Sequence, residues 1–248
     1  MPAWSTGASP LTAGSGISIT SAGVISATGG GLPVMTVPTA AQFTTVFNNG
    51  VDSEAIADFA DEKGVRFSRA GATNVLTLTG GGEAIATGNY AVTVGMVVSL
   101  KGGRAHQGSI GQTYGCGLSL VDGDGNHGQF VLGVNDSGVQ LSINKWTDED
   151  TYSSNPDNAA FVAGVPYSAA SGGLPIYLRV QKDATNFEFY YSATGLVDSW
   201  VHLSGFTTAH ANLVPGAVTL AGPSAYAITG AAGADCPVAQ RVFHWSNA

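Results

Sequence analysis

The chain has 248 residues, a formal net charge of −8, only 10% charged residues and 35 glycines. Nine basic residues, nowhere clustered, exclude recognition of nucleic-acid phosphates and disfavour anionic membranes, since both need a basic surface. Scarce charge, abundant glycine and many strand formers exclude a helical enzyme and a disordered chain, and point to an all-β protein rich in turns.

Residues 10–31 read PLTAGSGISITSAGVISATGGG, with no charge and few large apolar side chains. Ordering costs about 1–2 kcal/mol per residue in backbone entropy, more than this stretch recovers by burying its own side chains. It needs an outside partner. Two short strands are predicted within it, Gly16–Thr20 and Val24–Thr28, around Ser21-Ala-Gly23. Ile17, Ile19, Val24 and Ile25 are the apolar residues through which copies, or a foreign surface, would hold it.

Residues 32–50 read as a connector. Phe43, Val46 and Phe47 stand at i, i+3 and i+4, which predicts a short helix closed by Asn48-Asn49-Gly50. From Val51 onward period-2 alternation dominates. Val92, Val94, Met96, Val98 and Leu100 share one face, as do Val139, Leu141 and Ile143, and Ile176, Leu178 and Val180. The turns DGDGNHG and DATN predict hairpins. About a dozen short strands, each with one buried face, imply two antiparallel sheets packed as a sandwich. The predicted organisation is 1–31 docking segment, 32–50 connector and 51–248 β domain.

Cys116 and Cys236 have no metal-site neighbours, and two buried free thiols are preferred over a cross-sandwich disulfide, which suits a reducing compartment. No apolar run reaches the ~18 residues of a membrane span, and no signal peptide is visible, so folding in a cytoplasm is expected.

Asp122, Asp124 and Asn126 alternate as oxygen ligands do at the start of a calcium loop, and make calcium the one candidate cofactor. The glycines are misplaced for such a loop and its closing Glu is missing, so a glycine-rich hairpin turn is the preferred reading. KWTDEDTYSSNPDN is the richest polar loop. Trp146 and Tyr152 could stack on a sugar ring while Asp148, Asp150, Asn155 and Asn158 bond its hydroxyls, although a Trp146 packed on the sandwich rim is preferred.

Catalysis finds little support. Glycoside hydrolysis takes two carboxylates about 5–9 Å apart, and Glu188 is a lone acid on a core-type strand. No Gly-x-Ser-x-Gly elbow is present, and His106, His127, His202, His210 and His244 are scattered. Tyr177 and Tyr190 point away from the inward residues of their strands, as at a contact surface.

The stretch IYLRVQKDATNFEFYYSATGLVDSWVHL resembles the concanavalin A-like (laminin G/pentraxin-like) jelly-roll superfamily, through Leu178, Arg179, Val180, Lys182, Phe187, Tyr190, Tyr191, Ser192 and Trp200. GAVTLAG and the terminal AQRVFHWSNA fit the same pattern, and the resemblance spans 51–248. It implies a two-sheet antiparallel jelly-roll sandwich, a fold shared by lectins, hydrolases and inert modules. Gly14, Gly16, Ile17, Ser18, Ile19, Gly23, Val24, Ile25 and Ser26 resemble trimer-forming or particle-docking segments of tailed-bacteriophage fibres and virion accessory proteins.

Together these imply a non-enzymatic virion protein, assembled in the host cytoplasm as a homotrimer and docked on capsid or tail proteins. Capsid decoration or a head fibre is preferred. A short tail fibre recognising host glycans is the alternative, and a secreted carbohydrate-binding module or glycosidase-like domain is the reading from another class. Glu188 lining a cleft with a second acid would favour the last. Neither nucleic-acid binding nor membrane insertion is expected.

Overall fold

The structure, a computed structural model, describes residues 17–19, 25–27, 36, 38–43, 45–48, 64–67, 76–85, 87–100, 112–135, 138–148, 151–154, 175–203, 207–229 and 238–247. Among the described residues sixteen strands follow one another. They are β1 (Ile17–Ile19), β2 (Ile25–Ala27), β3 (Thr45–Asn48), β4 (Gly64–Phe67), β5 (Leu76–Ala84), β6 (Tyr90–Leu100), β7 (Gln112–Asp122) and β8 (His127–Asn135). Then come β9 (Gly138–Trp146), β10 (Tyr152–Ser154), β11 (Pro175–Lys182), β12 (Asn186–Ser192), β13 (Val201–His202), β14 (Thr208–Ala209), β15 (Val218–Thr229) and β16 (Val238–Asn247). One four-residue helix, α1 (His210–Leu213), interrupts them.

Two seven-stranded sheets form a jelly-roll sandwich. The first runs β10-β9-β8-β7-β15-β5-β3; the second runs β13-β12-β11-β6-β16-β4, with β14 added beside β12. Every pairing is antiparallel. Alternation decides what lies between the sheets. Val92, Val94 and Met96 of β6, Leu178 and Val180 of β11, and Phe187 and Phe189 of β12 meet Leu118 and Leu120 of β7, Phe130 and Leu132 of β8, and Leu141 and Ile143 of β9, all at most 1% exposed. Full burial of each such side chain is worth about 1.5–3 kcal/mol. Phe130 and Phe189 meet edge to face across the sandwich, centroids 5.2 Å apart.

Both predicted hairpins form. β7 and β8 join through residues 123–126, where Gly125 takes φ 86°, a conformation that favours glycine. β11 and β12 join through 183–185, where Asp183 Oδ1 accepts the backbone N–H groups of Thr185 and Asn186. The predicted strands of the first segment also form: β1 and β2 pair with Ile19 opposite Ile25 and Ser18 opposite Ser26. Val24 lies outside the described residues.

The connector differs from expectation. Residues 45–48 are not helical: they form β3, which completes the edge of the first sheet beside β5, and the helical part is a single 3-10 turn at Ala40–Gln42. One turn of helical spacing is a weak local signal, and the open edge of β5 outweighs it by offering a ladder of backbone partners. The sandwich therefore begins well before residue 51. Thr36 is already bound to the last strand: its N–H donates to His244 Nδ1 at 3.1 Å and its carbonyl accepts the Trp245 N–H at 2.9 Å. Phe43 packs edge to face on Trp245, centroids 5.4 Å apart, and Trp245 Nε1 donates to Glu83 Oε2 at 2.6 Å. Among the described residues no helix is long and apolar enough to cross a membrane.

Candidate functional site

The three residues of the calcium pattern form a turn. Asp122 Oδ1 accepts N–H bonds from Asp124, Asn126 and the Asn126 side chain, and Oδ2 accepts from Asn126 Nδ2 and from Gly216 N at 2.9 Å. Burial pushes this carboxyl up, but the bonds from Asn126, Gly216 and Asp124 outweigh it and hold it below the ordinary carboxylate range. Asn126 presents its NH₂ to Asp122, and donors fill the lone pairs a cation would use. These residues close the β7–β8 hairpin and pin it to the turn after α1. Among the described residues no three His, Cys, Asp or Glu side chains cluster as metal ligands.

The proposed sugar platform is not assembled at Trp146. That indole is 0% exposed, on the outer side of the first sheet, among Val121, Val131 and Tyr226. Tyr152, directly opposite on β10, closes over it edge to face at 5.5 Å. The reason is a partner beneath the ring: Trp146 Nε1 donates to Gln129 Oε1 at 3.0 Å, which makes burial of the indole N–H affordable. Asp148 is exposed at the start of the loop; Asp150, Asn155 and Asn158 lie outside the described residues.

Gln129 belongs to a group that alternation alone assigns to solvent. Ser119, Gln129, Ser142, Asn144 and Ser224 occupy outward positions of β7, β8, β9 and β15, yet each is at most 3% exposed. They satisfy one another. Ser119 Oγ donates to Ser224 Oγ at 2.8 Å, Gln129 Nε2 donates to the same hydroxyl at 2.9 Å, and Ser142 and Asn144 continue the chain to Gln129 Oε1. His127, at the end of this row, is buried; burial pushes its pKa down to about 4, against the pull of Asp122 and Asp148. This face is sealed, and Ser119, Gln129, Ser142, Asn144 and Ser224 are committed to each other.

The outer face of the second sheet is arranged differently. Register sets Thr93, Arg179, Tyr190 and His202 side by side across β6, β11, β12 and β13. Arg179 Nε donates to Thr93 Oγ1 at 3.1 Å, and its guanidinium lies over the Trp200 ring, 3.8 Å from the centroid. Tyr190 donates its hydroxyl to Glu188 Oε2 at 2.5 Å and stacks on His202, centroids 4.7 Å apart and planes within 28°. Burial, the bond to Glu188 and that carboxylate's charge push the phenol up to about 12, with Arg179 opposing. Arg179, Glu188, Tyr190 and Trp200 are half-buried, and His202 is exposed.

The loop that carries Trp200 is fixed from below. Ser192 Oγ accepts the N–H groups of Thr194 and Gly195 and bonds to Ser199 Oγ, which itself donates to Leu196 O at 2.7 Å. Gly195 has φ 72°, and a Cβ there would sit 2.7 Å from the Tyr177 ring. The loop thereby covers Tyr177, which also meets Phe243 and Trp200 edge to face. Tyr177, expected at a contact surface, is 6% exposed and covered by its own chain, so only Tyr190 of the two outward tyrosines reaches solvent. Arg179 and Trp200 carry the superfamily resemblance, but as site residues they were not singled out. The available signal was one cationic position amid outward aromatics on paired strands.

His244 is buried beside this face. It accepts the Thr36 N–H, and burial together with the Arg179 charge lowers its pKa. Cys116 is a buried free thiol whose pKa burial pushes up; Cys236 lies outside the described residues, as does His106.

No protein-family model matches the sequence, and no curated protein does. Solved structures do. A functionally unknown protein from Saccharomyces cerevisiae is 14% identical over 85% of this chain and 98% of its own, with a TM-score of 0.51. The GH43 BlXynB protein of Bacillus licheniformis is 16% identical over 73% of this chain, with a TM-score of 0.42; the chain spans only 32% of that protein. A toad ovary galectin, solved with thio-digalactose, is 9% identical over 73% of this chain and 99% of its own, with a TM-score of 0.36. The likeness to the yeast protein is one of fold alone; the antiparallel two-sheet jelly-roll sandwich is read from this chain's own strand order.

Proposed function

We propose that this chain is a non-enzymatic structural protein of a bacteriophage virion: a lectin-like jelly roll carried on the particle, as capsid decoration or head fibre, by its N-terminal segment. The observation that carries the reading is the bridge at Thr36, where the sandwich closes on itself through His244 and Trp245. The sandwich is already joined at Thr36, after the β1–β2 pair. The β1–β2 hairpin pairs three residues with three, too little to stand alone, so its order is supplied by sister copies or by a capsid or tail surface. Its resemblance to phage docking segments names the kind of surface.

Catalysis is disfavoured by the open face itself. Glu188 is held by the Tyr190 hydroxyl, and strands β6, β11, β12 and β13 carry no second carboxylate to work with it. The half-exposed Arg179–Tyr190 face favours the second reading, a short tail fibre that recognises host glycans.

Light scattering on the full chain and on a chain lacking residues 1–31 tests the assignment. The expected result is a trimer near three times 25.0 kDa that falls to a folded monomer on truncation. A truncated chain that still assembles, or still incorporates into particles, overturns the docking role.

A further inference from the structure

Arg179 is held on two sides and open on a third. Its Nε is used by Thr93 and one face of the guanidinium is covered by Trp200, while no described residue accepts from its terminal Nη atoms. That leaves four N–H donors of a rigid fork fixed by Thr93 and Trp200. Glu188 stands on the diagonal of the same strand pair, since Arg179 faces Tyr190 and Gln181 faces Glu188. Its Oε2 is used by Tyr190, and no described donor reaches its Oε1. Diagonal positions in an antiparallel pair lie about 7–8 Å apart, a span that two long side chains close onto one small polar molecule. Tyr190 neighbours both, opposite Arg179 and two residues along β12 from Glu188, and stacks on His202 on its other side.

We infer that this face binds a neutral saccharide, with Arg179 donating to one ring hydroxyl, Glu188 accepting from a neighbouring one, and the Tyr190–His202 pair lying against the sugar's C–H groups. A donor and an acceptor beside one aromatic surface match the hydroxyls and the C–H groups of a sugar ring. An acidic sugar would gain at Arg179 but would meet the Glu188 carboxylate and a chain of net charge −8. The inference rests on reading the jelly roll as a lectin-like domain; it assigns the ligand to the second sheet and away from the Trp146 loop.

The test applies the full-length protein to a printed array of neutral hexose-terminated glycans and of sialic- and uronic-acid-terminated glycans, then measures hits by saturation-transfer NMR with Glu188→Ala and Arg179→Lys. Both positions are half-exposed, and circular dichroism of each variant checks the fold. The expected result is binding to neutral glycans that weakens at least tenfold in both variants. Tighter binding to the acidic glycans overturns the ligand class. Neutral glycan binding that neither variant changes overturns the site and leaves the lectin-like reading standing. No binding to any glycan on the array overturns both the site and the tail-fibre reading, while attachment to the particle through residues 1–31 is untouched.

Discussion

The two outer faces of this sandwich both carry polar and aromatic side chains and use them in opposite ways. On the first sheet Ser119, Gln129, Ser142, Asn144, Ser224 and Trp146 are shut away and bonded to each other. On the second, Arg179 and Glu188 are each half satisfied and half exposed. A buried polar network is worth having only when each member is paired, because one orphaned group costs as much as several bonds contribute. A binding face requires the reverse: groups fixed in place with valences left over. The first face is therefore a structural element and the second an available one.

The contrast can be broken most severely at Trp146. Trp146→Ala removes a fully buried indole and leaves Gln129 Oε1 short of a donor, with an expected loss of about 3–5 kcal/mol in urea unfolding. A loss under about 1 kcal/mol would mean that the first face is not sealed. Acid attacks the same face through His127. Its folded pKa of about 4 lies below the ordinary value of 6.5, so the unfolded chain takes up the proton first. Stability is complete above about pH 6.5 and falls as the pH drops toward 4, by on the order of 3 kcal/mol. His127→Gln should flatten that slope between pH 7 and 4.5.

Gln129→Ala strands the Trp146 N–H and a Ser224 lone pair without a cavity as large, and should cost about 1–3 kcal/mol. Arg179→Ala sharpens the comparison from the other side. It forfeits an exposed cation–π contact, and a loss of only about 0.5–1 kcal/mol is expected by the same unfolding measurement. If Arg179→Ala proved as costly as Gln129→Ala, the second face would be structural too.

Much of the interior was legible in the sequence. Val92, Val94, Met96, Ile176, Leu178 and Val180 alternate and are all buried, and the two turns rich in Asp, Asn and Gly close the hairpins they predict. What alternation cannot convey is whether an outward position is covered. Ser119 bonds a residue 105 positions away and Gln129 one 95 away, and no local pattern announces such partners. The loop composition left a sugar platform open at Trp146 beside the preferred packed reading, and only its partner on the neighbouring strand, which draws it under Tyr152, decides between them. Residues 45–48 misled in the opposite sense: Phe43, Val46 and Phe47 satisfy a helical spacing by accident of a 3-10 turn running into an edge strand. The open face was half legible, since Tyr190 reads as outward, but only register reveals that Arg179 stands beside it.

The bridge from Thr36 to His244 and Trp245 also decides how the molecule would carry load. Tension applied through the N-terminal segment meets the two bonds to β16 before it reaches the edge strand β3. β16 lies between β6 and β4, and its register with β6 runs from Val238 to Asn247. A pull on the tether is therefore taken first by the two Thr36 bonds to a strand held along its whole length, and only once they give way by the four-residue ladder of β3 with β5, which can peel one bond at a time.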